Sequence, residues 1–409
     1  MTRRTTQRLI AAVAAIVLAL ATIVVIVRDA PRPPLIHVPE SHVTFSAHRP
    51  RSADAVLRSA VAMRVVPGAT VAIGRGDQLF DLASYGRMGW TLRDSLASAD
   101  STRYDLASMT KALATTMAVF LLVQDGKIHL DDPVQRSLPA FRGRWKERVT
   151  WRHLLTHTSG LPPSARVRGR TPAARLNNIL ATPLTTPPAD HVEYSDVGFI
   201  VLWMAAQRVM GQPLPRVLAK RIWRPLGMTS TGFIPGESCV RCAPTATLLS
   251  GAYYRGKPSD PIAEAIGVPT GNAGLFSTAH DVARFAAMIA NGGVHDGKQM
   301  LSPELVRALA EQVPHAGHRT LGWEAFCPAE HLNQQQPCQH PVAFGHTGWA
   351  GTSFWIGAET HSWVVVLSNR TYEVRNPPSL DSLRAEVFER IDSAATPRMD
   401  SMPVRTAPR

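Results

Sequence analysis

Ser108-Met109-Thr110-Lys111 runs directly into an apolar stretch, Ala-Leu-Ala-Thr-Thr-Met-Ala-Val-Phe-Leu-Leu-Val, at 112–123. The apolar run predicts a helix over 110–125. A serine at its start and a lysine one turn later share a face. The serine would lie at the positive end of the helix dipole, with its own N–H available to a developing oxyanion. A neutral lysine beside it could take the hydroxyl proton. With 26 Ser and six Lys in 409 residues, chance supplies about 0.4 such S-x-x-K matches. The tetrapeptide alone therefore also fits a helix N-cap followed by a solvated lysine.

Two further segments give it context. Tyr194-Ser195-Asp196-Val197-Gly198 precedes another apolar helical run. A tyrosine hydroxyl held near an ammonium can pass a proton to a leaving group, although Ser195 or Asp196 would equally serve as a helix cap. His346-Thr347-Gly348-Trp349 stands at the expected entry to a strand. There Gly348 would allow close approach to the backbone, or simply form a turn.

Working outward, 45% of the chain is hydrophobic, enough for a large core. The net charge of +13 is unevenly placed: +3 in residues 1–8, +8 in 142–175 and +2 in 396–409, with the remainder neutral. No nucleic-acid motif or aromatic interleaving accompanies it, so nucleic-acid binding is not expected. The stretch 166–175 (RVRGRTPAAR) reads either as a solvated loop or as an attractor of anionic substrate.

Residues 9–27 (LIAAVAAIVLALATIVVIV) contain one polar side chain, Thr22. Nineteen residues at ~1.5 Å each approach the ~30 Å hydrocarbon core. Arg3, Arg4 and Arg8 precede the run, so the expectation is a cytoplasmic 1–8, a signal anchor at 9–27 and a Pro-rich spacer at 28–50. The folded unit would be 51–395 and the tail 396–409. A cleaved signal peptide is the rival, and both readings export the domain. The expected location is a bacterial inner membrane, with the domain on the periplasmic side.

Export permits disulfides. Cys239 and Cys242 form a C-x-x-C, and Cys327 and Cys338 lie eleven apart, so local pairing is the simplest arrangement. Zinc at the C-x-x-C is the rival. No metal or other cofactor is expected, and His157 reads either as a fold-supporting residue or as a base or ligand. Oligomeric state is left open. A hairpin is expected from 67–73 and 79–85, a strand pair from 352–357 and 363–368, and helices at 151–157, 197–210, 214–223, 279–291, 302–312 and 380–393. Strands at both ends of the domain with a helical middle suggest a sheet-plus-helix fold with an inserted helical part.

S-x-x-K, Y-x-[ND] and [KH]-T-G occur in that order, with first members 86 and 152 positions apart. Together with Pro67-Gly68-Ala69-Thr70-Val71-Ala72, Asp105-Leu106-Ala107-Ser108, the 154–161 segment LLTHTSGL, Pro225-Leu226-Gly227-Met228 and Gly274-Leu275-Phe276-Ser277-Thr278-Ala279 with Asp281, the chain resembles the serine β-lactamase and penicillin-binding-protein superfamily, in its class C-like, DD-carboxypeptidase and esterase branch, over about 55–392. The resemblance implies an α/β (α+β) fold of the β-lactamase/transpeptidase type: an antiparallel sheet flanked by helices plus an inserted helical domain, with the site between them. It implies Ser108 as the acylated nucleophile, Lys111 as its base and Tyr194 as proton relay. It also implies Asp196, His346, Thr347, Gly348 and Trp349 in substrate binding, with the Ser108 and Trp349 N–H groups as the oxyanion hole.

Two positions depart from the family. Asp196 stands where many relatives have asparagine; it cannot donate to a carbonyl, and it favours a protonated Lys111. His346 stands where many have lysine, which makes that charge pH-dependent. The expected function is hydrolysis of an amide or ester (β-lactam, D-Ala peptide or small ester) through an acyl-enzyme, on a small-molecule or peptidoglycan-derived substrate. The alternative is a catalytically weak binding or sensor module of the cell envelope.

Overall fold

The computed structural model describes residues 36–37, 50–247, 253–327, 333–372 and 380–395. The expected 1–8 leader, 9–27 anchor and 396–409 tail, and all of the 28–50 spacer but Ile36, His37 and Pro50, lie outside the described residues. Among those described, no helix is long and apolar enough to cross a membrane.

Among the described residues, seven strands form the main sheet. Their spatial order is Ile36–His37, Gln78–Gly86, Gly68–Arg75, Ser362–Ser368, Thr352–Gly357, Ala343–Gly348 and Glu324–Phe326. Every pairing is antiparallel except that of Ile36–His37 with Gln78 and Leu79. The two ends of the domain meet at the centre, where Gly68–Arg75 and Ser362–Ser368 pair from Ala69↔Ser368 to Arg75↔Ser362.

Both faces of this sheet are covered, which explains why its strands read as near-continuous apolar runs rather than alternating ones. Val71, Ile73, Trp355, Val364 and Val366 pack into one core with Leu57, Val387 and Phe388 of the helices Pro50–Ala62 and Asp381–Ala395. Their neighbours Ala72, Phe354, Trp363, Val365 and Leu367 point the other way, into a larger core with the helix Ala279–Ala290. The strand period of two thus divides one sequence between two cores.

The helical part joins this second core. Asp196–Met210 starts at an N-cap, where Ser195 Oγ accepts the Gly198 N–H at 3.0 Å, and ends at Gly211 in the left-handed conformation. Trp151–Leu155 opens with a reciprocal box between Thr150 and His153. The expected 302–312 helix is Pro303–Ala310, and the expected 214–223 helix splits into Leu214–Leu218 and a π-helical Ala219–Trp223. His346-Thr347-Gly348 does not enter a strand: it ends Ala343–Gly348, and Trp349 begins the turn into Thr352–Gly357.

Candidate active site

The nucleophile candidate sits on a bend held by a buried carboxylate. Asp105 Oδ1 accepts the Ala107 N–H at 2.9 Å, while Oδ2 accepts the Ser259 N–H at 2.6 Å and its hydroxyl at 2.7 Å. These bonds hold Ala107 at φ 47°, a conformation that costs a non-glycine residue about 1–3 kcal/mol. The strain presents Ser108 at a pocket wall. Beyond it the chain makes short turns, with the Lys111 N–H donating to the Ser108 carbonyl at 2.9 Å, before widening into a π-helical stretch, Lys111–Thr116, and then the helix Met117–Gln124. Such wide turns often mark functional sites.

Lys111 is fully buried and spends all three ammonium hydrogens. Its Nζ donates to Asp196 Oδ1 at 2.6 Å, to Ser108 Oγ at 3.0 Å and to the Asn272 carbonyl at 3.0 Å. Burial pushes its pKa down, but the Asp196 charge, followed by Tyr194, opposes this and the net shift is upward. Lys111 is therefore an ammonium at neutral pH.

Tyr194 closes the same cluster. Its ring lies 4.9 Å from Lys111 Nζ, stacks on His157 at 4.3 Å and receives the Arg319 guanidinium at 5.2 Å. Burial raises its pKa, with Lys111 pulling the other way. His157 Nδ1 accepts the Ser195 N–H at 2.9 Å, which assigns the proton to Nε2. Burial, then the Arg319 and Lys111 charges, hold the His157 pKa well below its ordinary value. His157 is thus a neutral buttress under Tyr194 and the start of Asp196–Met210.

On the far wall stands the end of Ala343–Gly348. His346 donates from Nδ1 to the Thr347 carbonyl at 2.7 Å and is buried. Burial lowers its pKa to about 4, against the pull of Glu324. The pH dependence expected of a histidine here is thus displaced to acid, and His346 is neutral in ordinary buffers. Gly348 is also explained differently. A Cβ there would overlap the Leu106 carbonyl and Thr352 Oγ1, so what needs the space is the chain's own nucleophile loop.

Ser108, Tyr194, Asp196 and the segment His346 to Trp349 line one pocket of about 490 Å³, with Lys111 beneath. Three guanidiniums that no motif marked also line it: Arg319, Arg370 and Arg384. Arg319 donates to Glu324 Oε2 at 2.6 Å, Arg370 to the Trp349 carbonyl at 2.8 Å, and Arg384 to the Gly348 and Thr352 carbonyls at 2.9 and 3.0 Å. Three guanidiniums from neighbouring segments therefore line the pocket that the neutral His346 also lines. Asp260, hydrogen-bonded to Ala263 N and Asn272 Nδ2, is a further unmarked lining residue.

Other expected residues lie elsewhere. Cys239–Cys242 and Cys327–Cys338 are disulfides with Cα separations of 5.4 and 5.9 Å, and no cysteine is free. The zinc alternative is therefore set aside. Arg166, Arg168 and Arg170 are exposed and outside the pocket lining.

A serine on a strained helix-start bend, its lysine, a tyrosine and a strand end around one pocket form the candidate site for serine acyl transfer. The Beta-lactamase family profile matches residues 53–389, and the chain belongs to that family as one of its serine hydrolases. It is 30% identical over 314 residues to the "Putative D-alanyl-D-alanine carboxypeptidase" of Escherichia coli (strain K12), covering 69% of this chain and 72% of that protein. It superposes on a β-lactamase/D-alanine carboxypeptidase from Pseudomonas syringae with TM-score 0.67, at 20% identity, over 86% of this chain and 100% of that one. On a class C β-lactamase from Rhodobacter sphaeroides the TM-score is 0.66, at 20% identity, over 84% and 99%. These two likenesses show the fold.

Proposed function

We propose that the chain is an exported, membrane-tethered hydrolase that removes the terminal residue from D-alanyl-ended peptides through an acyl-enzyme on Ser108. The carrying observation is the Lys111 Nζ contact to Ser108 Oγ, 3.0 Å, at the floor of a pocket with guanidiniums on its far wall. A peptide C-terminus presents a carboxylate, which guanidinium recognises well. The name of the Escherichia coli relative points the same way. Residues 9–27 would supply the tether.

In this reading Lys111 first sheds one ammonium proton, and Ser108 Oγ then attacks the scissile carbonyl and gives up its own proton to the freed Lys111 amine. The oxyanion forms against the Ser108 and Trp349 N–H groups, and Tyr194 protonates the departing amine. Thr347 and the guanidinium wall hold the carboxylate. Water then hydrolyses the ester. β-Lactams and small activated esters would acylate the same serine.

A weak, sensor-like binder is the second reading. Its support is the charged state of Lys111, which cannot accept a proton while it remains an ammonium. Intact mass after a β-lactam or activated ester, followed in time on wild type and Ser108→Ala, tests both, alongside release of D-alanine from a D-alanyl-D-alanine-ended peptide. Turnover with a serine-dependent adduct supports the hydrolase, a persistent adduct supports the sensor, and no adduct with any donor defeats both.

A further inference from the structure

A protonated Lys111 raises the question of where its extra proton goes before it can act on Ser108. Its three donors end on Ser108 Oγ, the Asn272 carbonyl and Asp196 Oδ1. A hydroxyl oxygen and a backbone carbonyl are poor proton acceptors at neutral pH, whereas a carboxylate is the natural one. Asp196 is also the shortest contact, 2.6 Å, and its side chain is 24% exposed, toward the pocket, while that of Lys111 is fully buried. Water reaching that exposed edge favours the ionised pair. A substrate filling the pocket removes the water and weakens the case for two separated charges.

We propose, resting on the acyl-enzyme reading above, that Asp196 is the proton acceptor that converts Lys111 into the base, and that substrate occupancy triggers the transfer. The N–H bond of Nζ breaks, an O–H bond forms on Asp196 Oδ1, and both charges vanish. The freed Nζ lone pair takes the Ser108 proton as Oγ bonds to the acyl carbon and the carbonyl electrons move to oxygen. When the scissile C–N bond breaks, nitrogen keeps the electron pair and takes the Tyr194 proton. Lys111 reprotonates Tyr194 and Asp196 returns its proton to Lys111, so these three groups are restored with one proton delivered to the amine, while Ser108 stays esterified until water releases it. Asparagine at this position can hold Lys111 but cannot take the proton. Asp196 acts through Lys111 and is a positioning residue with a proton-accepting role.

The groups that interact with this pair are Tyr194, Ser108 and Asp260, with His157, His346 and Arg319 near enough to feel or exert charge. The histidines are neutral at pH 7, so the pair is the part that changes.

The test is the acylation rate of the full chain, read as the burst with p-nitrophenyl acetate and with a chromogenic β-lactam, from pH 5.5 to 10. Wild type should be nearly flat around neutrality, because the proton moves internally. Asp196→Asn should fall at least 100-fold at pH 7, a general-base-sized loss. Its rate should then climb about tenfold per pH unit, because Lys111 must lose its proton to solvent. Asp196→Glu should recover part of the rate. Asp196→Asn acylating as fast as wild type, or faster, at pH 7 would overturn the relay and leave Asp196 as a brake on Lys111. If the variant does not fold, the proton inventory of wild-type acylation in mixed light and heavy water decides: a bowed dependence supports two moving protons, and a linear one overturns the proposal. Absence of a Ser108 adduct on wild type would instead sink the hydrolase reading itself.

Discussion

The Leu106 carbonyl lies where a side chain on Gly348 would begin, and Thr352 Oγ1 donates to that same carbonyl at 3.0 Å. The end of the strand and the loop that carries Ser108 are therefore in contact across 242 residues of chain. Gly348→Ala should push them apart. The expected result is a stability loss of about 1–3 kcal/mol and a disproportionate fall in kcat, because Ser108 and Trp349 would no longer face one carbonyl together. Denaturant unfolding and steady-state kinetics on the same preparation check this. A variant with wild-type kcat would show that the contact does not set the oxyanion geometry.

Lys111→Gln removes the ammonium that donates to both Ser108 Oγ and Asp196 Oδ1. Acylation should fall by roughly 10²–10⁴, with Ser108 still present and the fold kept. Intact-mass time courses read the rate directly, and acylation within a few fold of wild type would exclude Lys111 as the base.

Acid should destabilise the domain before its carboxylates titrate. His157 and His346 are neutral and buried, with folded pKa values below the unfolded value near 6.5. Below pH 6.5 the unfolded chain binds these protons and the folded one does not, so stability falls as pH falls from about 6.5 toward 4 and is fully present above 6.5. His346 alone, shifted to about 4, accounts for on the order of 3 kcal/mol. Urea midpoints measured from pH 8 to pH 4.5 should decline, and the decline should be visibly shallower in His346→Gln. An identical slope in the variant would mean that His346 does not bear this load.

The Cys327–Cys338 disulfide should matter to Tyr194. Gln334 Oε1, inside the loop that it closes, accepts the Tyr194 N–H at 3.0 Å, and Gln335 Nε2 donates to the Val192 carbonyl at 2.9 Å. Replacing both cysteines by serine should cost about 2–4 kcal/mol and lower kcat. The pair Cys239→Ser and Cys242→Ser, whose loop has no such hydrogen bond to Tyr194 among the described residues, should lower stability with little change in kcat. Equal kinetic effects of the two pairs would remove the link between this loop and the tyrosine.

Much of this was open to reading in one dimension. Ser108 and Lys111 sit one helical turn apart, Ser195 caps the helix after Tyr194, the two disulfides join near neighbours, and the strands 68–75 and 362–368 are apolar enough to announce a covered sheet. Each of these signals acts over a few residues: a turn of helix, a cap, a short loop, a run of side chains. The order of the three motifs was also sufficient to name the family. What the chain cannot display in one dimension is charge and burial, because both are sums over space. Whether Lys111 is an ammonium depends on a carboxylate 85 positions away and a carbonyl 161 away. His346 is neutral because the walls around it exclude water, not because of its neighbours in sequence. The guanidiniums of Arg319, Arg370 and Arg384 carry no motif, and only folding brings them to the pocket where a lysine was missed. The sequence by itself determined the fold and nominated the candidate reacting groups; the tertiary structure decided which of them are charged.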